Sequence, residues 1–308
     1  MLLYGCQIIA PHFKTMKYLY NLKPETSSDT FLKYIAQDHY EKFHLKFLKW
    51  NLSVHQKASN VGCWGDSGRY PLFIEATKLS IDYFEHVQDS FNKSDGTLLA
   101  AAFSVQKDLN LDWYANLTKL CSRYQDSSIL AKRKSTLVAE CVRKEFTKHW
   151  TNSKRTSPKL EFYNQIKPEF RTEDYLSLVE ESEHRASLTR FRISAHNLYI
   201  ERGRYETPVV SRDNRWCAFC YQNSGHKPVE SELHVLLFCP LYTSLKTRLF
   251  CEDVPSPQDT LSLFTTKNRK CAVLVGKLVH SILELNQHYT SYFNLQDFHQ
   301  ASGDCIVL

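Results

Sequence analysis

The sequence predicts a mainly α-helical protein: a helical body plus a small CCHC zinc module, with a possible short β-hairpin around Cys217 and Cys220. Three observations lead there. Apolar residues recur every three or four positions through most of the 308 residues, the period of one helix face. Only 9 glycines occur, well under the usual ~7%, and none forms a GxGxxG or P-loop pattern, which disfavours dinucleotide and P-loop folds. Residues 215–242, "RWCAFCYQNSGHKPVESELHVLLFCPLY", gather three cysteines and two histidines, while the other seven of ten cysteines are scattered.

With 43% hydrophobic and 23% charged residues, the composition is globular rather than disordered. The chain can bury a sizeable core, and two domains are expected. The division expected is a helical region over 1–125, a basic helical region over 126–210, the metal module over 211–250, and a linker with a closing helix over 251–308.

Residues 31–50 place Tyr40, Phe43, Phe47 and Trp50 at helical spacing beside Lys42, Lys46 and Lys49, which predicts an aromatic core face next to a solvated basic face. Gly62, Gly65, Gly68 and Pro71 then predict a tight, irregular turn over 59–72. The following helix turns Ile74, Ile81, Phe84, Val87 and Phe91 inward and stops near 92–96. Shorter helical patterns occupy 97–109 and 112–124.

Between 132 and 159 nine basic residues face two acidic ones, Glu140 and Glu145. Val138, Val142, Phe146 and Trp150 recur every fourth residue, so this is a helix docked by one face and ended before Pro158. A second helical run, 184–205, interleaves arginines with Phe191, Tyr199 and Tyr205; guanidinium groups bind phosphates and exposed rings stack on bases. Most of these rings are expected in the core. Residues 251–261 form a linker, 270–289 a closing helix, and the residues after Phe298 fray.

The net charge is +6, which permits nucleic-acid contact without requiring it. No basic segment precedes the first apolar run, and no stretch reaches the ~18 apolar residues a membrane span needs. A soluble, intracellular protein with no membrane span is expected, its cysteines being mostly reduced, buried thiols.

Cys217, Cys220, His234 and Cys239 read C-x2-C-x13-H-x4-C. A two-residue gap lets one turn aim both thiolates at a single ion, and a second pair arriving after a loop completes a tetrahedron. Sulfur and imidazole donors favour Zn2+ over magnesium or calcium. Four protein ligands leave no open position, so the metal is structural and not hydrolytic. His226 is the alternative fourth ligand, but choosing it leaves the H-x4-C half unexplained.

These residues carry a resemblance. "RASLTRFRISAHNLYIERGRYETPVVSRDNRWCAFC" followed by "ESELHVLLFCPLYTSLKTRLF" closely resembles the C-terminal region of LINE-type (non-LTR) retrotransposon reverse transcriptases. The matching positions are Arg192, Ser194, His196, Leu198, Ile200, Glu201, Gly203, Arg204 and Tyr205, then Glu230, Glu232, His234, Leu236, Cys239, Pro240 and Tyr242. Upstream, 2–8, 41–50 and 65–72 resemble the thumb-like segment after the polymerase palm, so the likeness spans about residues 2 to 290. The loop "SGHKPV" departs from the family.

The resemblance implies a helical, zinc-stapled part that grips RNA or an RNA/DNA hybrid. Lys132, Arg133, Lys134, Arg143, Lys144 and Lys148 in one basic helix, and Arg185, Arg190, Arg192, Arg202 and Arg204 in the next, would contact phosphates. No Asp-Asp pair occurs in the chain, so the two-metal chemistry of the palm is not expected, nor is a small-molecule substrate. The other reading is a structural or interaction-only remnant of a decayed element. His44 and His196 are expected to pack or cap rather than catalyse. The final "CIVL" fits a prenylation pattern at Cys305, but no polybasic run precedes it, and modification is not expected.

Overall fold

The computed structural model describes residues 26–93, 96, 98–124, 134–250 and 257–292. The likeness at 2–8, Lys132, Arg133 and the Cys305 motif lie outside the described residues. In chain order the helices are α1 (Ser28–Gln37), α2 (His39–Asn51), α3 (Asn60–Ser67), α4 (Leu72–Asn92), α5 (Leu98–Asp108), α6 (Asp112–Arg123), α7 (Lys134–Thr156), α8 (Glu161–Ile166), α9 (Tyr175–Leu178), α10 (Ser182–Arg192), α11 (Tyr199–Arg202), α12 (Ala218–Ser224), α13 (Thr243–Phe250), α14 (Pro257–Leu263) and α15 (Arg269–Tyr292). Among the described residues there is no strand; two isolated antiparallel bridges occur, Ser67 with Thr172 and Trp216 with Val229. The protein is mainly α, as expected, and the hairpin is reduced to the second bridge. None of the described helices is long and apolar enough to cross a membrane.

Two compact units form, and they do not follow the four-part division expected from the sequence. The first comprises residues up to Leu48 with Arg69–Thr156; the second comprises Lys49–Gly68 with the chain from Ser157 onward. The basic stretch expected over 126–210 is therefore split at the end of α7.

In the first unit α4 packs along α7 and α5, and α1 along α7. Ile74, Ile81, Phe84 and Val87 are buried as their spacing predicts, and so are Val138, Val142, Phe146 and Trp150. Polar contacts fix the α1–α7 pair: Ser153 Oγ donates to Asp29 (2.6 Å), and Phe31 stacks on His149 (4.2 Å between ring centroids).

Helix α2 corrects the expected aromatic core face. Phe43, Phe47 and Trp50 are 57%, 54% and 73% exposed, while Glu41, Leu45, Leu48 and Lys49 are buried. Both sets repeat at 4 and 3 residues, so periodicity alone fits either. A long-range need decides between them. The α4 N-cap is Pro71, which supplies no side-chain cap, and Glu41 Oε1 accepts from the Phe73 amide instead (2.8 Å), satisfying a donor that the helix start leaves without a partner.

Burial raises the Glu41 pKa, against the lowering by His44 and the Phe73 amide. The folded carboxyl thus binds its proton more tightly than the unfolded one, whose value is about 4.3. Stability from this group is present at low pH and is lost as pH rises through the folded value. Wild-type stability relative to Glu41→Gln, whose amide oxygen can still accept from Phe73, is expected to fall across that window. Urea midpoints of both proteins between about pH 4 and 7 check this; a difference that grows with pH contradicts it.

In the second unit the expected glycine-rich turn is a helix, α3. Ser59 Oγ caps it by accepting from Gly62 N (3.3 Å), and Gly68 ends it in the left-handed region at φ 61°. Gly62 serves close approach rather than a turn, since a Cβ there would lie 2.8 Å from Ile193. Helix α10 packs along α15, and the expected run 184–205 breaks after α10 at Ser194 (φ 52°). The core between them includes Phe162, Val179, Leu188, Phe191, Val235, Val275, Val279 and Ile282.

A buried ion cluster lies beside this core. Arg192 Nε donates to Asp66 (3.0 Å), Nη2 to Glu173 (2.7 Å) and Nη1 to the Phe264 carbonyl (2.7 Å). Lys167 pairs with Glu173, and Tyr175 Oη donates to Asp66 (2.8 Å). Two cations therefore face two anions, with hydrogen bonds taking up lone pairs, which is the condition under which buried charge is tolerable.

Candidate metal centre

The chain enters the centre through the Trp216–Val229 bridge: Cys217 N donates to Pro228 O and Glu230 N to Arg215 O, both 2.8 Å. Cys217 is the N-cap of α12, and Cys220 sits one turn into it, so both thiols leave the same side of a short helix. Gly225, at φ 69°, turns the chain back. His234 opens a π-turn over His234–Phe238. Cys239 N donates to His234 O (2.8 Å) across five residues, so this wide turn is what the four-residue gap between the last two ligands builds.

All four side chains are buried, and their ligand atoms lie within 4.8 Å of one another. Cys239 Sγ is 3.8 Å from Cys217 Sγ and 3.9 Å from Cys220 Sγ, and His234 Nε2 is 3.4 Å from Cys220 Sγ. A tetrahedral ion with metal–sulfur bonds of about 2.3 Å and metal–nitrogen bonds of about 2.0 Å puts sulfurs about 3.8 Å apart and sulfur about 3.5 Å from nitrogen. The donor set fits. His226 is exposed and outside the group, so the fourth member of the cluster is His234.

Without a cation the thiols crowd one another. The neighbouring Cys239 sulfur and then burial push the Cys217 pKa well up; burial and then Cys217 push Cys220 to about 11. Metal binding must displace these protons and weakens in acid. Lys246, a residue the sequence reading missed, is buried with Nζ 3.5 Å from the Leu237 carbonyl and near enough to Cys239 to feel its charge. Three thiolates around a divalent ion would carry a net negative charge, and Lys246 stands where it would offset it. A lone lysine seven positions past the last ligand gives no signal in the sequence.

The residues that carry the family resemblance brace this centre. Ser194 Oγ (2.6 Å) and His196 Nε2 (2.9 Å) both meet Glu232 Oε1. Burial is the largest influence and raises the Glu232 pKa, but the His196 and Ser194 contacts and a backbone hydrogen bond together outweigh it, so the net shift is down. Glu230 accepts from Tyr199 N (2.5 Å) and Asn286 Nδ2 (2.9 Å), and Asn286 also reaches Tyr242 Oη (3.3 Å). Gly203 lets Arg215 pass, since a Cβ there would lie 2.9 Å from its side chain, and Arg215 Nη1 donates to Ile200 O (2.8 Å). His196 and His44 each have a carboxylate partner: Glu232, 36 positions away in the chain, and Glu41, one turn back on the same helix. Ser194 and His196 share one carboxylate oxygen inside the core, so neither is placed as a nucleophile and its base.

The expected phosphate contacts divide sharply. Lys144 and Lys148 are exposed one turn apart on α7, and Arg190 is exposed on α10. Lys134 is half-buried at the start of α7. Arg143 pairs with Glu75, Arg185 donates to the Val179 carbonyl (2.7 Å), Arg202 lies over Tyr199 (5.0 Å) and Arg204 pairs with Glu201 (2.9 Å). Arg192 is corrected outright: it is fully buried in the ion cluster and cannot reach a phosphate. No family model, curated protein or solved structure matches the chain.

Proposed function

We propose that the chain is a non-catalytic, zinc-stapled nucleic-acid-binding region, of the kind that follows the palm in LINE-type retrotransposon reverse transcriptases, and that it takes RNA or an RNA/DNA hybrid. The observation that carries this reading is that the four clustered side chains and most residues of the family likeness, Ser194, His196, Tyr199, Glu230, Glu232 and Tyr242 among them, fold as one site. Arg192 to Tyr205 on one side and Glu230 to Tyr242 on the other are joined through Glu230, Glu232 and Tyr199. Zinc is the cation that three thiolates and an imidazole in tetrahedral spacing select, and thiolate ligands suit a reducing, intracellular compartment. The closed shell gives it a folding role.

Lys144 and Lys148 supply the phosphate-facing charge. If they neutralise two phosphates of a single strand, log K falls with log salt at a slope of about −1.4, or roughly sevenfold between 50 and 200 mM. Filter binding of single-stranded RNA is expected to show at least that dependence, and the Lys144→Ala/Lys148→Ala double variant to flatten it. Affinity that ignores salt, or no binding at all, overturns the reading. The engagement of Arg143, Arg185, Arg192 and Arg204 in internal contacts favours the second reading, an interaction-only remnant, which predicts that null result.

A further inference from the structure

Of the three rings in the arginine-rich run, the second unit buries Phe191 and Tyr199 and leaves Tyr205 54% exposed. Two ammonium groups stand over that ring: Lys57 Nζ is 5.7 Å and Lys159 Nζ 5.8 Å from its centroid. Tyr205 Oη donates to Glu201 Oε1 (3.0 Å) and lies 3.3 Å from Lys159 Nζ. Glu201 is buried and also pairs with Lys159 and with Arg204 (2.9 Å). One carboxylate therefore pairs with two cations, a third stands over the ring, and the surplus is positive. His55 senses it: burial lowers its pKa, and Lys159, Lys49 and Arg190 push it further down against the opposing Glu201.

The hydrogen bonds to Glu201 hold the ring in place, whereas the exposed Lys57 side chain makes no hydrogen bond or ion pair among the described residues. It can leave the ring face for a phosphate at the cost of a cation–π contact of roughly 0.5–1 kcal/mol. A fixed, open π-face beside mobile positive charge matches a polymer in which every unit brings a flat ring and an anion together.

We propose that Tyr205, Lys57 and Lys159 form a subsite for single-stranded nucleic acid: one unpaired base lies on the Tyr205 ring and the flanking phosphates meet the two lysines. The inference rests on the nucleic-acid reading above and gives it a specific place. Duplex bases are already stacked on each other, so the ring discriminates strandedness.

The test is fluorescence-anisotropy titration of the full chain with a labelled oligouridine and with a blunt RNA duplex of equal charge. Tyr205→Ala is expected to weaken oligouridine binding about tenfold, and up to about a hundredfold, with the salt slope unchanged and duplex affinity kept. Tyr205→Phe loses the Glu201 hydrogen bond that places the ring but keeps the ring itself, and should retain most of the affinity that Tyr205→Ala loses. Lys57→Ala should reduce the salt slope by about 0.7. If wild type binds oligouridine and Tyr205→Ala binds it equally well, or loses duplex and oligouridine alike, the subsite is wrong while the wider reading stands. If wild type binds neither RNA, the wider reading falls and takes the subsite with it.

Discussion

Cys239→Ser is expected to abolish zinc stoichiometry and to unfold the second unit, not merely the segment between the ligands. Cys239 is fully buried and, with Cys217 and Cys220, belongs to the core that also contains Leu188, Phe191, Val275 and Ile282. Structural zinc contributes an apparent binding energy of about 10–16 kcal/mol near neutral pH, comparable with the whole stability of a domain at about 5–15 kcal/mol. A hydroxyl at 239 removes one thiolate and leaves Cys217 and Cys220, whose burial still raises their pKa values. The loss should appear as collapsed hydrogen-exchange protection along α10 and α15, with metal per chain read by mass spectrometry. Cys121→Ser, at a buried thiol in the first unit, is the control and should retain one zinc per chain. One zinc retained in Cys239→Ser, or unchanged protection after chelation of wild type, refutes the assignment.

Arg192→Met is expected to destabilise the second unit by about 3–5 kcal/mol, because it strands Asp66 and Glu173 in the core with Lys167 as their remaining cationic neighbour. Methionine fits the aliphatic path but donates nothing to the Phe264 carbonyl, Asp66 or Glu173. Asp66→Asn should cost a similar amount, and the double variant less than the sum, since the two share one interaction. Arg190→Met, two positions away and exposed, loses one hydrogen bond to the Ser53 carbonyl (3.0 Å) and should cost no more than about 1.5 kcal/mol. Urea denaturation of the four proteins decides: an Arg192→Met midpoint matching that of Arg190→Met removes the cluster from the account of stability.

The Cys/His cluster was legible in the sequence because its geometry is local. Two gaps of two and four residues build a helical turn and a π-turn, and these need no distant partner to aim the donors. The long helices were legible for the same reason, as the buried row of Val138, Val142, Phe146 and Trp150 shows. Where distant partners decide, the reading failed. Helix α2 carries two equivalent stripes, and the choice fell to Glu41, whose partner is the Phe73 amide. Arg192 looked like a phosphate ligand because nothing near it in the chain reveals Asp66 or Glu173. The α3 glycines read as a turn because the surface they approach, Ile193, arrives from far along the chain.

The pairing of Asp66 with Arg192 spans 126 positions, and this bears on how the protein is made. At about 5–20 residues per second, the Asp66 carboxylate is synthesised roughly 6 to 25 s before its guanidinium. During translation the α3 segment must stay hydrated or be shielded by another factor, and a codon-level pause between the two positions lengthens that wait.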